Sequence, residues 1–237
     1  MYAYVLGLSL LLTLPLYFVT RGAVFKNYKA VLRSMSLPVA VYLIWDIIAT
    51  HFGHWLFDPA QTSHLRFAGI PIEEYFFFII IPLCALVTYE TVTQFNGDNF
   101  HIKGRTIFIG IALYTFVGAV VEMFFRSQRV AKLESPITPW YTFATFAVMF
   151  IFVLWVLNNK ERKNVLLSGP SISTLGICLF FMIFVNGLLT QLSNPVVSYK
   201  ANIGVRLYFD IPVEDFFYGT VLLAWILLRY QREKVRC

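Results

Sequence analysis

Two short stretches of the sequence place a pair of acidic residues directly after a Pro-x dipeptide, at the start of an apolar run. Residues 70–78 read IPIEEYFFF, and residues 211–219 read IPVEDFFYG. A carboxyl group in an apolar setting can stay protonated, and a second carboxyl that interacts with it can hold the negative charge. Such a pair supplies a proton donor and a proton acceptor. The two stretches therefore predict acid–base chemistry on a substrate that lacks polar groups.

Aromatic residues follow both acid pairs and fit the same chemistry. Aromatic faces stabilise a cation by about 2 kcal/mol or more when water is excluded, and they offer no base that would quench a carbocation. Aromatic belts at the membrane interface also account for many such residues. The candidates for cation stabilisation and substrate binding are Trp45, Tyr75, Phe76, Phe77, Phe216, Phe217 and Tyr218.

The acid pairs belong to a longer internal repeat. Residues 45–51 (WDIIATH) align with residues 185–191 (VNGLLTQ), so that an aspartate in the first copy meets an asparagine in the second. Arg66 corresponds to Arg206 after a gap of one residue. An alternative interpretation is that the acids complement the dipoles of two helix N-termini. The catalytic candidates are Glu73, Glu74, Glu214, Asp215, Asp46 and Asn186.

The composition indicates that these residues lie in a membrane. The chain has 237 residues, of which 58% are hydrophobic and 14% are charged. A soluble domain is about 45–50% apolar and about 25% charged. A spanning helix needs about 20 mostly apolar residues, and seven segments qualify: about 2–20, 35–52, 71–94, 105–125, 139–158, 171–193 and 211–229.

The predicted fold is therefore an all-α integral membrane protein, with seven transmembrane helices arranged as two parallel three-helix repeats joined by a linker helix. The first repeat covers 1–95, the linker region 96–130 and the second repeat 131–237. A repeat of three helices followed by one further crossing makes the copies parallel and places their acids in the same half of the bilayer.

The distribution of basic residues predicts the orientation. Most of the 19 Lys and Arg residues lie in the loops and the tail on the side of the membrane that carries the C-terminus. By the positive-inside rule, we expect a multi-pass protein of the cell membrane with its C-terminus in the cytoplasm and its N-terminus outside. The net charge of +6 is thus a topology signal, and no nucleic-acid partner is expected.

No cofactor or metal is expected from the sequence. It has no G-x-G-x-x-G motif for a dinucleotide. His51, His54 and His64 cluster near the end of the second span, but no further ligand is positioned to complete a metal site. The three cysteines are scattered, which indicates neither a disulfide framework nor a metal cluster.

The sequence resembles the small integral-membrane lycopene cyclases of the carotenoid pathway, which occur as two short subunits or as one fused chain. The resemblance rests on PIEEYFFF, PVEDFFYG and WDIIATHFGHWLF, covers nearly the whole chain and is similar to the fused form. The second half of the chain departs from the first half at Asn186, which stands in place of an acid.

The resemblance implies a redox-neutral isomerisation of lycopene, a linear polyene, with no flavin. An acid would protonate the terminal double bond, and a neighbouring double bond would attack the resulting tertiary cation and close a six-membered ring. Loss of a proton would then complete the reaction, and a β ring is the expected product. In this scheme Glu73 and Glu214 rank first as acid or base. Their partners are Glu74 and Asp215, and Asp46 and Asn186 polarise or orient them.

Two other functions compete with this one. Small sugar-type transporters share the parallel-repeat plan. They differ from this chain in carrying Pro-Gln dipeptides, which are absent from its sequence, and in needing a cavity lined by polar side chains. A non-catalytic carotenoid- or lipid-binding membrane protein is the other alternative. The sequence leaves open the ring isomer, the number of ends cyclised, the division of acid and base roles, and whether the chain pairs with itself or contacts other carotenoid enzymes.

Overall fold

The computed structural model describes residues 1–95, 139–190 and 195–236. The predicted linker region, 96–130 with its span at 105–125, lies outside the described residues. Within these ranges the chain forms eight α-helices. They are α1 (Tyr2–Val19), α2 (Ala23–Lys26), α3 (Tyr28–His51), α4 (Ile72–Phe95), α5 (Trp140–Leu157), α6 (Lys160–Leu166), α7 (Gly169–Thr190) and α8 (Val213–Arg236).

Five of the described helices, α1, α3, α4, α5 and α7, are long and apolar enough to cross a membrane. They coincide with five of the seven predicted spans, and α3 begins seven residues earlier than its predicted span at residue 35. The seventh span is also a helix, α8, but it is not among the five. Its first turn carries an acid pair and its last turns carry Arg229, Arg232, Lys234 and Arg236, which lower its overall hydropathy.

Three short antiparallel strand pairs accompany the helices, so the all-α prediction missed a small amount of β structure. Strand β1 (Trp55–Phe57) pairs with β4 (Val197–Tyr199), β2 (Arg66–Phe67) with β3 (Ile70–Pro71), and β5 (Arg206–Leu207) with β6 (Ile211–Pro212). Each strand has only two or three residues, too short to show an alternating pattern.

The two hairpins explain how the acid pairs are positioned. In each, the arginine of the first strand lies opposite the proline of the second: Arg66 pairs with Pro71, and Arg206 with Pro212. Since proline ends each strand and the next residue begins a helix, the acids fall in the first helical turn. There they face the positive end of the helix dipole.

The gap of one residue in the repeat has a conformational origin. The first hairpin turns through Ala68 and Gly69, both at positive φ, as a tight two-residue loop does. The second turns through residues 208–210, and Asp210 has a φ of 68°. A three-residue loop that ends in a left-handed residue is the next most common solution, so the extra residue lies in the turn and the pairing is unchanged.

The helices of the two halves interlock. Helix α1 packs along α4, and α5 packs along α8, so the first and third long helices of each half meet. The second long helix of each half packs on the third helix of the other half: α3 on α8, and α7 on α4. This arrangement brings the N-terminal ends of α4 and α8, with their acids, toward a common space.

The β1–β4 ladder joins the halves above that space. Trp55 lies opposite Tyr199, and Phe57 opposite Val197. Each hairpin arginine donates to a carbonyl of the ladder, Arg66 to Phe57 and Arg206 to Tyr199, each at 3.4 Å. The ladder is thereby tied to both hairpins and holds its side chains over the acidic end of the helices.

A second polar cluster connects α4 and α8 at their other ends. The buried carboxylate of Glu90 accepts hydrogen bonds from Lys234 Nζ at 2.6 and 2.9 Å and from Tyr230 Oη at 2.9 Å. A buried carboxylate is tolerated only when it is paired in this way. This cluster therefore fixes the register of the two most buried helices.

We expect the substitution Lys234→Met to destabilise the protein, because it leaves Glu90 buried without its cation. A hydrogen bond to a charged group contributes about 1.5–3 kcal/mol. Since the lysine side chain is 36% exposed, a loss of about 1–2 kcal/mol is appropriate. The thermal midpoint in detergent should fall by about 2–8 °C.

The matched control is Arg236→Met, on the same helix. Its guanidinium is 54% exposed and pairs with Glu233 one turn away, and an exposed pair of this kind contributes little. Equal midpoints for the two variants would contradict a stabilising role for the Glu90 cluster.

Candidate active site

A cavity of about 200 Å³ lies where α1, α4, α7 and α8 meet under the β1–β4 ladder. Its walls are mostly apolar and are formed by residues such as Val5, Phe78, Ala85 and Leu222. Its carboxyl groups and most of its other polar groups collect at one end, while Ser9, Thr13 and Thr88 lie along its length. The residues of that end are Tyr2, Asp46, Trp55, Glu74, Tyr141, Asn186, Tyr199 and Asp215. We call this the acidic end of the cavity.

Asp46 and Glu74 lie on one side of the acidic end, and each has one hydrogen-bond donor. The indole of Trp55 donates to Asp46 Oδ1 at 2.7 Å, and the hydroxyl of Tyr2 donates to Glu74 Oε2 at 2.5 Å. The second oxygen of Asp46 is buried and has no hydrogen-bond partner among the described residues. A charged oxygen in that position would be costly.

Asp215 lies on the other side and is held by three donors. Tyr141 Oη donates to Oδ1 at 2.6 Å, while Tyr199 Oη at 2.7 Å and Asn186 Nδ2 at 3.1 Å donate to Oδ2. Several donors stabilise the charged form of a carboxyl group. Asp46, Glu74 and Asp215 all line the acidic end of one apolar cavity, where a charge on one carboxyl group disfavours a charge on the others.

Tyr199 is suited to act as a permanent donor. It belongs to β4, and burial, followed by the charge of Asp215, raises the pKa of its hydroxyl well above the usual value. The hydroxyl therefore keeps its proton at neutral pH. Its ring stacks on Tyr141 at 5.9 Å, and Arg206 lies over it at 5.6 Å, which fixes its orientation.

Glu73 and Glu214, the first members of the two pairs, do not line the cavity. Glu73 accepts hydrogen bonds from the amide of Ser63 at 2.6 Å and from its hydroxyl at 2.9 Å. Glu214 accepts from the hydroxyl of Thr142 and from the amide of Ile203 at 3.3 Å. Adjacent residues on a helix point about 100° apart, so one acid of each pair faces the cavity and the other faces a loop.

The chain matches the family model for lycopene cyclase over residues 1–92 and 138–232, which is most of its length. The chain belongs to the lycopene cyclase family. It matches no curated protein and no solved structure. Membership makes this chain an enzyme of carotenoid cyclisation, with lycopene or a related carotenoid as its substrate.

Of the aromatic residues predicted to contact the carotenoid, Phe77 and Tyr218 line the cavity. Trp45 packs behind Tyr218, with the ring centroids 4.9 Å apart. The others face away from it. Tyr75 donates to the carbonyl of Phe67, Phe76 is 50% exposed, Phe216 is buried in a separate apolar cluster, and Phe217 packs on Phe146.

The sequence analysis did not identify Tyr2, Trp55, Tyr141 and Tyr199 as site residues of the cyclase. Tyr2 and Tyr141 each lie in the first turn of the first helix of a half, and each donates to the second acid of the pair in the same half. Extending the internal repeat back to the first helix would have aligned these two tyrosines. Trp55 and Tyr199 are cross-strand neighbours, and no sequence signal indicates that pairing.

The three candidate histidines, His51, His54 and His64, do not line the cavity. His54 follows α3, and partial burial lowers the pKa of its imidazole. Among the described residues, no three or more His, Cys, Asp or Glu side chains lie together in a way that could hold a metal ion. The polar groups near the cavity are instead arranged as hydrogen-bond donors to carboxyl groups.

Two threonines of α5 provide a stability test of the Glu214 anchor. Thr142 Oγ1 donates to Glu214 and accepts from the amide of Ile203 at 3.0 Å. Thr142→Val removes a donor from a buried carboxylate and an acceptor from the amide, and leaves only the 3.3 Å hydrogen bond between the Ile203 amide and Glu214. It should therefore lower stability by about 1–3 kcal/mol. The thermal midpoint in detergent should fall by about 2–12 °C.

Thr145→Val is the matched control, one turn along the same helix. Thr145 is buried, and its hydroxyl has no hydrogen-bond partner within the described chain, so its removal should leave the midpoint unchanged or raise it. If Thr145→Val lowered the midpoint as much as Thr142→Val, the anchoring role of Thr142 would be wrong.

Proposed function

We propose that the protein cyclises the ends of lycopene by acid–base catalysis, as a redox-neutral isomerase (an intramolecular lyase), and forms β rings. The observation that carries the proposal is the unequal distribution of donors among the three carboxyl groups at the acidic end. Asp215 has three donors, while Asp46 and Glu74 have one each. The site thus has one side suited to hold a proton and one suited to hold a negative charge.

Glu74 is the proposed proton donor, with Asp46 as its partner. Three close carboxyl groups in an apolar cavity do not all ionise, because each charge disfavours the next. The proton is retained where the negative charge is least stabilised, which is the Asp46–Glu74 side. Both side chains line the cavity, so a proton held there can reach a double bond of the substrate.

Asp215 is the proposed base. Its negative charge is stabilised by Tyr141, Tyr199 and Asn186, and it faces the same end of the cavity as Glu74. We therefore rank Glu74 and Asp215 above Glu73 and Glu214, which were favoured by the sequence alone. Glu73 and Glu214 become positioning residues that anchor the hairpin regions.

The reaction balances with these groups alone. The Glu74 carboxyl gives a proton to the terminal double bond, whose electrons form the new C–H bond and leave a tertiary cation. A neighbouring double bond attacks this cation and closes a six-membered ring. Asp215 then removes a proton from the ring carbon that bears the chain, and the freed C–H electrons form the double bond of a β ring. Passing that proton back to Glu74 resets the site.

The aromatic residues of the acidic end support the cationic intermediate. Trp55, Tyr141, Tyr199 and Tyr218 surround the carboxyl groups, and the ring centroids of Trp55 and Tyr141 lie 5.0 Å apart. Each aromatic face contributes about 2 kcal/mol or more to a desolvated cation. The mostly apolar walls also favour a hydrocarbon substrate over the polar solute of a transporter.

We also propose the seven-helix arrangement of two parallel three-helix repeats, with the N-terminus outside and the C-terminus in the cytoplasm. It is supported by corresponding hairpins, by corresponding tyrosines at the starts of α1 and α5, and by the interlocked packing of the long helices. The basic residues at the far end of α8 support the orientation.

The direct test is expression in cells that accumulate lycopene, followed by extraction and chromatography of the pigments. We expect one-ring and two-ring β carotenes. Unchanged lycopene, with the protein present in the membrane, would overturn the proposal and favour a non-catalytic binder. A ring of another type would keep the cyclase and reject the proposed position of the base.

The role assignment is tested by four substitutions in the same cells. Glu74→Gln and Asp215→Asn should reduce conversion by about 10²–10⁴-fold, the contribution of general acid or base catalysis. Glu73→Gln and Glu214→Gln should stay within about tenfold of the parent, or 1.4 kcal/mol in the barrier. In Glu214→Gln the amide oxygen still accepts both anchoring hydrogen bonds. In Glu73→Gln it still accepts from the amide of Ser63, and the new NH₂ group donates to the Ser63 hydroxyl. Loss of conversion in Glu73→Gln with full conversion in Glu74→Gln would reverse the assignment.

A further inference from the structure

The cavity is elongated along the helices. On α1 its lining runs from Tyr2 to Leu16, and on α4 from Glu74 to Thr88. Fourteen residues of helix correspond to about 21 Å. The acidic end closes one extremity, so the cavity is a narrow apolar channel that begins at the carboxyl groups and extends through about two thirds of a bilayer core of about 30 Å.

The residues that line the channel differ in exposure from one side to the other. Toward α4 and α8 its lining is buried, as at Phe78 (1% exposed) and Leu222 (3%). Toward α1 and α7 the lining residues Leu12 and Phe184 are 54% and 50% exposed. Side chains that both line the channel and lie at the surface of the described chain mark an opening. Since α1 and α7 are apolar enough to span the membrane, this opening faces the hydrocarbon region.

We propose that the linear carotenoid enters sideways from the bilayer through this slot between α1 and α7, and that one end is cyclised in each binding event. The inference rests on the proposed function. A hydrocarbon dissolved in the membrane reaches the acids through the slot without crossing water. The side chains of Leu12 and Phe184 form the two edges of the opening.

The length of the channel implies the second part of the proposal. Extended lycopene has about 30 main-chain bonds at roughly 1.2 Å per bond, as in any extended chain, and is therefore about 36 Å long. A channel of about 21 Å holds little more than half of it. With one end at the carboxyl groups, the other end remains in the bilayer. The second end reaches the acids only after the molecule leaves and returns reversed.

The slot is tested by Leu12→Trp against Leu11→Trp in lycopene-accumulating cells. Both leucines are exposed, at 54% and 63%, so neither substitution disturbs buried packing. Leu12 lines the channel and Leu11 does not. We expect Leu12→Trp to reduce conversion by roughly fivefold to a hundredfold, the effect of forcing a ring into space that is filled when substrate is bound. Leu11→Trp should convert like the parent.

Equal conversion by the two variants would overturn the slot. An inactive parent would instead refute the proposed function, so the two failures are distinguishable. A loss in Leu12→Trp accompanied by a lower amount of protein in the membrane is resolved at the other edge of the opening. There Phe184→Trp should also reduce conversion, whereas Phe180→Trp, at a residue that is 56% exposed and does not line the channel, should convert like the parent. Equal conversion by this second pair of variants would also overturn the slot.

The single-end step is tested in liposomes that contain the purified protein, lycopene and isotopically labelled one-ring carotene. If each ring is made in a separate binding event, the unlabelled one-ring product mixes with the labelled one-ring carotene. The labelled fraction of the two-ring product should then equal the labelled fraction of the one-ring carotene. A protein that stops at one ring, with no label in any two-ring product, also supports binding of a single end. Two-ring product that forms from lycopene without label would overturn the inference.

Discussion

The structure depends on the burial of carboxyl groups in an apolar bundle. An ionised carboxyl group in such a setting is costly unless donors reach it, and one acid of each pair that lines the cavity receives a donor from a distant part of the sequence. Tyr2 reaches Glu74 across 72 residues, and Tyr141 reaches Asp215 across 74. These contacts link the start of each half to its third long helix. The same bonds that make burial tolerable therefore also determine how the helices are arranged around the cavity.

Each adjacent acid pair has one member in a loop contact and one at the cavity. One member turns to a loop and binds its amides or hydroxyls, as Glu73 does with Ser63, while the next residue faces the cavity. The proline and hairpin before each pair fix the point at which the helix begins, and so fix which acid points inward. A shift of one residue in the start of α4 would exchange the two roles.

The sequence was sufficient to predict five apolar helices of the described chain and the correspondence between the two segments that carry the acid pairs. Of the six carboxyl and amide side chains that it selected, four line the cavity. Helical spans are predictable because apolar length is a local property. The inward-facing member of each pair was not predictable. It depends on the donors Ser63 and Ile203, whose positions follow from loop conformation. The contact between Trp55 and Tyr199 was also not predictable, because strands of three residues carry no periodic signal.

The crossing of the β1–β4 ladder between the halves has a consequence for assembly. Strand β1 belongs to the first half and β4 to the second, and α3 and α7 each pack on a helix of the opposite half. Neither half encloses the acids by itself: Asp46 and Glu74 come from one, and Asn186 and Asp215 from the other. Two polypeptides, each corresponding to one half, would carry the same complementary surfaces. They could therefore form the same cavity without a covalent connection. In that sense the single chain is a heterodimer whose subunits have been tethered.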